Sequence, residues 1–238
     1  MTSINTLIKG LDILKINMDL DELEKFRTYK ELLLEWNNKI NITAITDEEE
    51  VDIKHFLDSL TVLKTGYIKN GHRIIDIGTG GGFPGIPLKI VNNDCDIVLL
   101  DSLNKRIKFL NEIIEKLNLQ DIGSIHGRAE DYGRDHEYRE KFDIVVSRAV
   151  ASLNILSEYC LPFAKVGGFF IAMKGPEIKE EIAGAERAIK LLGGSIEEQK
   201  DVSLPFSDIK HTLIVIKKIK STSTKYPRNP GTPKKNPL

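Results

Sequence analysis

An α/β fold around a mostly parallel sheet is what this sequence predicts, on three observations. From Gly71 onward, short apolar runs alternate with amphipathic stretches, the pattern of strands covered by helices on both faces. The first run leads into a glycine-rich loop, Gly78-Thr79-Gly80-Gly81-Gly82, as a doubly wound sheet does at its first strand-to-helix turn. Seven runs are present and no helix separates the last two, so the sheet should be seven-stranded with an antiparallel last strand.

The elements follow in order. Residues 1–70 form an N-terminal helical extension: Ile4, Leu7, Ile8, Leu11 and Leu14 recur at helical spacing, as do Leu20, Leu23, Phe26, Leu33 and Trp36. Thr46 and Glu49 have the spacing of a capping box, and the helix they open carries Val51, Ile53, Phe56, Leu57 and Leu60 inward. Between these helices, Asn38 to Thr43 is polar and β-branched, with poor helix propensity. The α/β domain spans 71–220. Its strands are read at Ile74–Ile77, Ile97–Leu100, Ile122–His126, Phe142–Val146, Phe169–Met173, Ile196–Val202 and Thr212–Ile216. Helices are read through Ile107, Leu110 and Ile114, near Leu153 to Leu161, and up to Leu192. Residues 221–238 are a basic, proline-rich tail without apolar periodicity, a pattern that assigns it neither order nor disorder.

Composition narrows the function classes. With 238 residues, 41% hydrophobic and 29% charged, the chain is a globular protein rather than a disordered one. No apolar stretch approaches the roughly 18 residues of a membrane span, and the N-terminus lacks the basic-then-apolar pattern of a secretory signal. Cys95 and Cys160 provide neither a disulfide scaffold nor metal-ligand spacing, so the expectation is a cytosolic protein without a metal. The net charge of −1 is uneven. Eight basic residues and no acidic one follow Ile209, which leaves −9 on residues 1–208 and suggests a polyanionic partner for the basic end.

The loop Asp76-Ile77-Gly78-Thr79-Gly80-Gly81-Gly82-Phe83-Pro84-Gly85 is the strongest local signal. A P-loop would end in Gly-Lys-Ser/Thr, but Ile86 follows Gly85. A dinucleotide fingerprint matches on Gly80, Gly82 and Gly85, yet Asp76 would repel a pyrophosphate and Pro84 stands where the helix should start. S-adenosylmethionine inverts the first objection, because its ammonium is attracted by a carboxylate. Asp101, 19 residues past Gly82, has the spacing of an acid that accepts from ribose hydroxyls. Ala129 and Glu130, in His126-Gly127-Arg128-Ala129-Glu130-Asp131, offer a backbone amide and a carboxylate to the adenine.

The segment from Asp76 to Leu88 resembles the RsmG family, also called GidB, of bacterial small-subunit rRNA methyltransferases. The likeness extends through Asn38 to Ile45, His55 to Leu60 and Val146-Ser147-Arg148-Ala149, and on to Lys225-Tyr226-Pro227-Arg228 and Gly231-Thr232-Pro233. It implies a class I, Rossmann-like S-adenosylmethionine-dependent methyltransferase acting on guanine N7 in the decoding-region loop of 16S rRNA. It further implies cofactor contacts at Gly78, Phe83, Ala129, Glu130 and Arg148. Gly81 stands where the family more often has Ala or Pro.

Methylation at guanine N7 uses an in-plane lone pair, so positioning and charge stabilisation matter more than a general base. The strand end Val146-Ser147-Arg148 suits this, since it lacks the Asn-Pro-Pro-aromatic sequence used on exocyclic amines. Arg148 is the first catalytic candidate, as a partner for the methionyl carboxylate or the guanine; a structural ion pair is the plainer alternative. Asn41 is the second, as a reader of a base edge or simply a helix cap. His55, Asp58 and Ser59 lie within about one helical turn and form a possible polar patch. Lys174 is a candidate phosphate contact, and Lys225, Arg228, Lys234 and Lys235, with Tyr226 for stacking, suit an RNA backbone. Cys160 and Cys95 read as core cysteines. The expected partner is 16S rRNA or the small ribosomal subunit, with the protein acting as a monomer. A non-catalytic RNA-binding assembly factor and a small-molecule methyltransferase are the alternatives.

Overall fold

In the computed structural model, which describes residues 2–148, 151–176 and 178–238, the chain starts with α1 (Asn5–Leu14) and α2 (Leu20–Ile40). Asp19 and Glu22 make the reciprocal capping box of α2, each side chain accepting from the other's backbone N–H at 2.8 Å. Apolar positions of α1 and α2, among them Leu7, Leu11, Phe26 and Leu33, are buried in one core with Phe56 and Leu57. Lys30 is buried too, its ammonium 2.7 Å from the equally buried Asp52 and bonded to the Ser3 carbonyl.

The next helix departs from the expected one. Its N-cap is Asp47, not Thr46: the Asp47 carboxylate accepts from Glu50 N at 2.9 Å, a stronger acceptor than a hydroxyl. The helix is also broken into four pieces. A short turn, α3 (Glu48–Val51), runs into a π-helical turn at Asp52–Leu57, then α4 (Asp58–Leu60) and a 3-10 turn at Thr61–Thr65. The wide turn carries Asp52 and His55, and the next residue is Asp58, so three polar side chains are buried from one segment.

The sheet then builds as β1 (Arg73–Ile77), α5 (Gly85–Val91), β2 (Asp96–Asp101), α6 (Asn104–Lys116), β3 (Ile122–His126), α7 (Ala129–Tyr132) and β4 (Phe142–Arg148). It continues through α8 (Leu153–Cys160), β5 (Ala164–Lys174), α9 (Lys179–Leu191), β6 (Gly194–Ser203) and β7 (Lys210–Lys218). The order is β3-β2-β1-β4-β5-β7-β6, with β1 to β5 parallel and β7 antiparallel to both neighbours. One face packs on the N-terminal helices, α5 and α6, the other on α8 and α9. Strand order reverses between β1 and β4, so their carboxyl ends flank the crevice where such sheets bind ligands. Among the described residues, no helix is long and apolar enough to cross a membrane.

The tail, to which the sequence pattern assigns neither order nor disorder, is structured. It is laid along the domain and ends in a short helix, α10 (Thr232–Lys235). The Arg139 guanidinium donates to the carbonyls of Thr222 (2.6 Å), Ser223 (3.2 Å) and Tyr226 (2.8 Å). Arg228 grips the buried Glu158 through its side chain, Nη2 to Oε2 at 2.6 Å, and through its backbone N–H at 2.7 Å. Lys218, another of the eight basic residues, is buried with its ammonium on Leu161 O, Ala164 O and Glu140, and burial pushes its pKa down to about 8. Part of the basic end is therefore internal structure. Order here comes from ion pairs and carbonyl contacts, which leave no hydrophobic period in the sequence.

Candidate functional site

The glycine loop joins β1 to α5 over the carboxyl end of the sheet. Gly78 N and Thr79 N donate to Leu100 O at 2.8 and 3.2 Å, tying the loop to β2. Gly78 and Gly80 hold φ of 70° and 61°, which side-chain-bearing residues avoid. Gly85 has no room for a side chain: a Cβ there would lie 2.3 Å from Leu99 and 3.0 Å from Asp76 Oδ2. Pro84 does not block the helix but serves as its N-cap residue. At Gly81, the position that departs from the usual family residue, a Cβ would meet Ile42 and Phe83 at 2.9 Å, and its carbonyl accepts from the Tyr29 hydroxyl.

Asp76 is fully buried at the end of β1. Its Oδ2 accepts from Thr79 Oγ1 at 2.7 Å and Gly85 N at 2.9 Å, while its Oδ1 has no partner among the described residues. Burial raises its pKa to about 6, against the pull of those two donors. Asp101, at the end of β2, accepts from Gly80 N (2.9 Å), Leu103 N (2.9 Å) and Arg106 (3.2 Å). Two cavities meet at Gly78, Asp101 and Ser102. The first, about 210 Å³, is walled by Ala129, Glu130 and Tyr159; the second, about 460 Å³, by the loop, Phe83, His55 and Arg148.

Arg148 ends β4 and separates the second cavity from a third of about 410 Å³, lined also by Lys54, Asp58, Lys174 and His211. Its guanidinium donates to Asp58 Oδ2 (2.7 Å) and Lys54 O (2.9 Å), lies 3.2 Å from His55 Nδ1, and sits 5.0 Å from the centre of the Phe83 ring. His55 stacks on Phe83 at 4.4 Å and reaches Thr43 Oγ1 at 2.8 Å. Burial, reinforced by the Arg148 charge, depresses its pKa to about 3, so the imidazole is neutral at physiological pH. Burial alone would raise the Asp58 carboxyl, but the His211 contact and the Arg148 charge outweigh it and hold its pKa below the ordinary value. His211 Nδ1 is 2.7 Å from Asp58 Oδ1 but off line for a well-formed hydrogen bond, leaving that oxygen under-satisfied.

Of the candidates read from sequence, Gly78, Gly80, Phe83, Asp101, Ala129, Glu130 and Arg148 all line the joined cavities, and Asp76 stands directly behind the loop. Asn41 is the left-handed C-cap of α2, exposed beside Ile42 and Thr43, which line the cleft where it does not. Lys174 is drawn onto Glu181 (2.5 Å) and Ala151 O (2.7 Å). Ala149 lies outside the described residues. His211, Tyr29 and Tyr159 were not legible as site residues, because each arrives from a segment with no motif of its own; Thr43 lies in the Asn38–Ile45 segment, where Asn41 drew the attention instead. Both cysteines are buried and free. Among the described residues, no three His, Cys, Asp or Glu side chains are grouped to hold a metal.

Sheet order, glycine loop and acid-lined cleft together define a Rossmann-like methyltransferase fold. Solved structures share it: TrmN from Thermus thermophilus (TM-score 0.54, 14% identity, 68% of this chain and 48% of that one) and TYW2 from M. jannaschii in complex with AdoMet (0.53, 16%, 68% and 77%). The chain belongs to the rRNA small subunit methyltransferase G (GidB) family, whose model matches residues 22–210. Relatives called ribosomal RNA small subunit methyltransferase G are 55% identical in Alkaliphilus metalliredigens, over all of both chains, and 56% identical in Thermoanaerobacter sp., over 99% of this chain and 98% of that one.

Proposed function

We propose that this protein transfers a methyl group from S-adenosylmethionine to N7 of a guanine in the decoding-region loop of 16S rRNA. In this reading it works in the cytoplasm as a monomer, on 16S rRNA or the small ribosomal subunit, with 71–220 as the catalytic domain. The observation that carries it is the two-part cleft, acidic where a cofactor would lie and walled by a neutralised arginine where a base would enter.

The residues fit the cofactor. Asp76 Oδ1, buried and without a donor, lacks what an ammonium would provide. Asp101, fixed by the loop and Arg106, presents its carboxylate to ribose hydroxyls, and Glu130 and the Ala129 backbone face the adenine cavity. When bound, S-adenosylmethionine supplies an electrophilic methyl on a sulfonium. Attack by the guanine N7 lone pair would form the N–CH3 bond as the sulfur–methyl bond breaks and the neutral thioether leaves; no proton would be lost, so the ring would become cationic. The wall facing it should then carry little net positive charge. Arg148 is neutralised by Asp58, and His55 is held neutral, so the pair orients without repelling. Phe83 and His55 give a flat stacked surface beside it. Asn41 remains a candidate base contact at the rim, with the Arg148 guanidinium as the positioning group.

Incubation with methyl-labelled cofactor and 16S rRNA from a strain lacking this modification tests the proposal. Label at a guanine N7 of 16S rRNA is the expected result. Binding without label would identify a non-catalytic assembly factor, and label only in small metabolites a different substrate class.

A further inference from the structure

The C-terminal segment reaches the cofactor cavity by two routes. Gly231 N donates to Glu130 Oε1 at 2.9 Å, and Glu130 lines the cavity assigned above to adenine. Arg228 closes on Glu158, and the next residue of α8, Tyr159, lines that same cavity. Glu158 is fully buried, so this clamp is built into the fold rather than laid on its surface. Arg134 and Arg139 add hydrogen bonds to the Pro227 and Tyr226 carbonyls at 2.8 Å.

We propose that residues 222–238 are a positioning element of the cofactor site, with Gly231 orienting the Glu130 carboxylate toward the adenine amino group. The proposal rests on the reading of that cavity given above. With Oε1 held by the Gly231 N–H, the carboxylate has a fixed plane, and Oε2 makes no hydrogen bond to protein among the described residues. A fixed acceptor favours a base edge that donates, as the adenine amino group does, and repels one that accepts, as the hypoxanthine carbonyl does. Gly231 has φ of 81° and open space where a Cβ would stand, so the left-handed turn that aims its N–H depends on glycine. The basic tail then acts on the small ligand as well as on any polyanion.

The test measures S-adenosylhomocysteine and S-inosylhomocysteine binding by titration calorimetry, on the full chain and two full-length variants. Glu158→Gln with Arg228→Met releases the clamp without leaving a buried charge unpaired. Gly231→Ala strains only the turn. The wild-type chain should prefer the adenine compound by at least about tenfold, the scale of one hydrogen bond to a charged group. Each variant should lower that ratio at least about threefold, by weakening the adenine compound most. A merely loosened fold would weaken both compounds alike, because they share everything but the base edge. If the double variant does not fold, Gly231→Ala decides. An unchanged ratio in the folded variants overturns the role of the tail and leaves the cavity assignment standing. A wild-type chain that binds neither compound overturns that assignment, and the inference with it.

Discussion

The two ends of the chain close over opposite halves of one cleft, and they do so by different physics. At the N-terminal end α1, α2 and the π-helical segment bury Leu7, Phe26, Tyr29, Leu33 and Phe56 in a continuous core, and Tyr29, His55 and Thr43 reach the loop and the Arg148 wall. At the C-terminal end Arg139, Arg228 and Gly231 bond to carbonyls and carboxylates, with Tyr226 and Leu238 only partly buried. Apolar burial is non-directional and scales with area, whereas hydrogen bonds contribute little net energy but fix geometry. Damage at the first end should therefore register chiefly as lost stability, and damage at the second chiefly as altered ligand selection.

The largest effect is expected where the N-terminal end hides charge. Lys30→Met leaves Asp52 buried without its partner, and the expected loss is about 3–5 kcal/mol in equilibrium denaturant unfolding. Adding Asp52→Leu should restore most of it. A loss below about 1 kcal/mol in the single variant would show that the pair does not hold this end together.

Next in size is Arg148→Ala, at the seam between the N-terminal helices and β4. Methyl transfer should fall at least about tenfold while circular dichroism still reports a folded chain. Wild-type turnover would remove Arg148 from the site and reduce its contact with Asp58 to structural pairing.

The same contrast explains what could be read beforehand. The N-terminal helices announced themselves because burial imposes a period on Leu7, Leu11, Phe26 and Leu33. The strands and glycine loop were legible for a similar reason, since Asp76 to Gly85 is one contiguous segment whose chemistry is local. The Arg148 wall was half legible: His55, Asp58 and Arg148 were each visible, but His211 joins them from β7 only once the sheet is folded. The order of the tail was not legible because its partners Glu130, Arg139 and Glu158 are 70 to 101 residues away and polar, and no hydrophobic pattern marks such contacts. The π-helical turn was missed because its residues fit an α-helical period as well.

A pH series sharpens the comparison at the point where both ends meet the cleft. The Asp76 pKa, about 6 against an ordinary 3.8, means the unliganded native state holds that proton more tightly than the unfolded chain. From this group, stability is greatest below pH 4 and falls by about 3 kcal/mol as pH rises through 6. His55 works in the other direction: with a pKa near 3, its contribution is present above pH 6.5 and is lost as pH falls toward 3. The opposed slopes partly cancel in a melting curve, so ligand affinity is the sharper measurement. A ligand ammonium beside Asp76 favours the ionised carboxylate. S-adenosylhomocysteine affinity should therefore rise by up to about tenfold between pH 5 and 7, about half of that factor by pH 6, and level off above 7. Asp76→Asn should abolish the slope, and a flat wild-type profile would separate Asp76 from the ligand's cation.

The smallest effect concerns the free side chains of the C-terminal end. Of its eight basic residues, Lys218 is buried, Arg228 is committed to Glu158 and Lys217 is half-buried beside Glu197, while Lys210, Lys220, Lys225, Lys234 and Lys235 stay exposed. Lys234→Ala with Lys235→Ala removes two of these charges from α10 and leaves the Gly231 N–H in place. Folding stability should change by less than about 0.5 kcal/mol, and the preference for adenine should be unaltered. If both lysines neutralise phosphates, the slope of log affinity for 16S rRNA against log salt becomes shallower by about 1.4, near 0.7 per contact on a single strand. A full slope in this variant would move the RNA attraction to other lysines and leave the tail with the cofactor alone. A shallower slope with unchanged ligand selection would show one segment acting through its backbone on the small ligand and through its side chains on the large one.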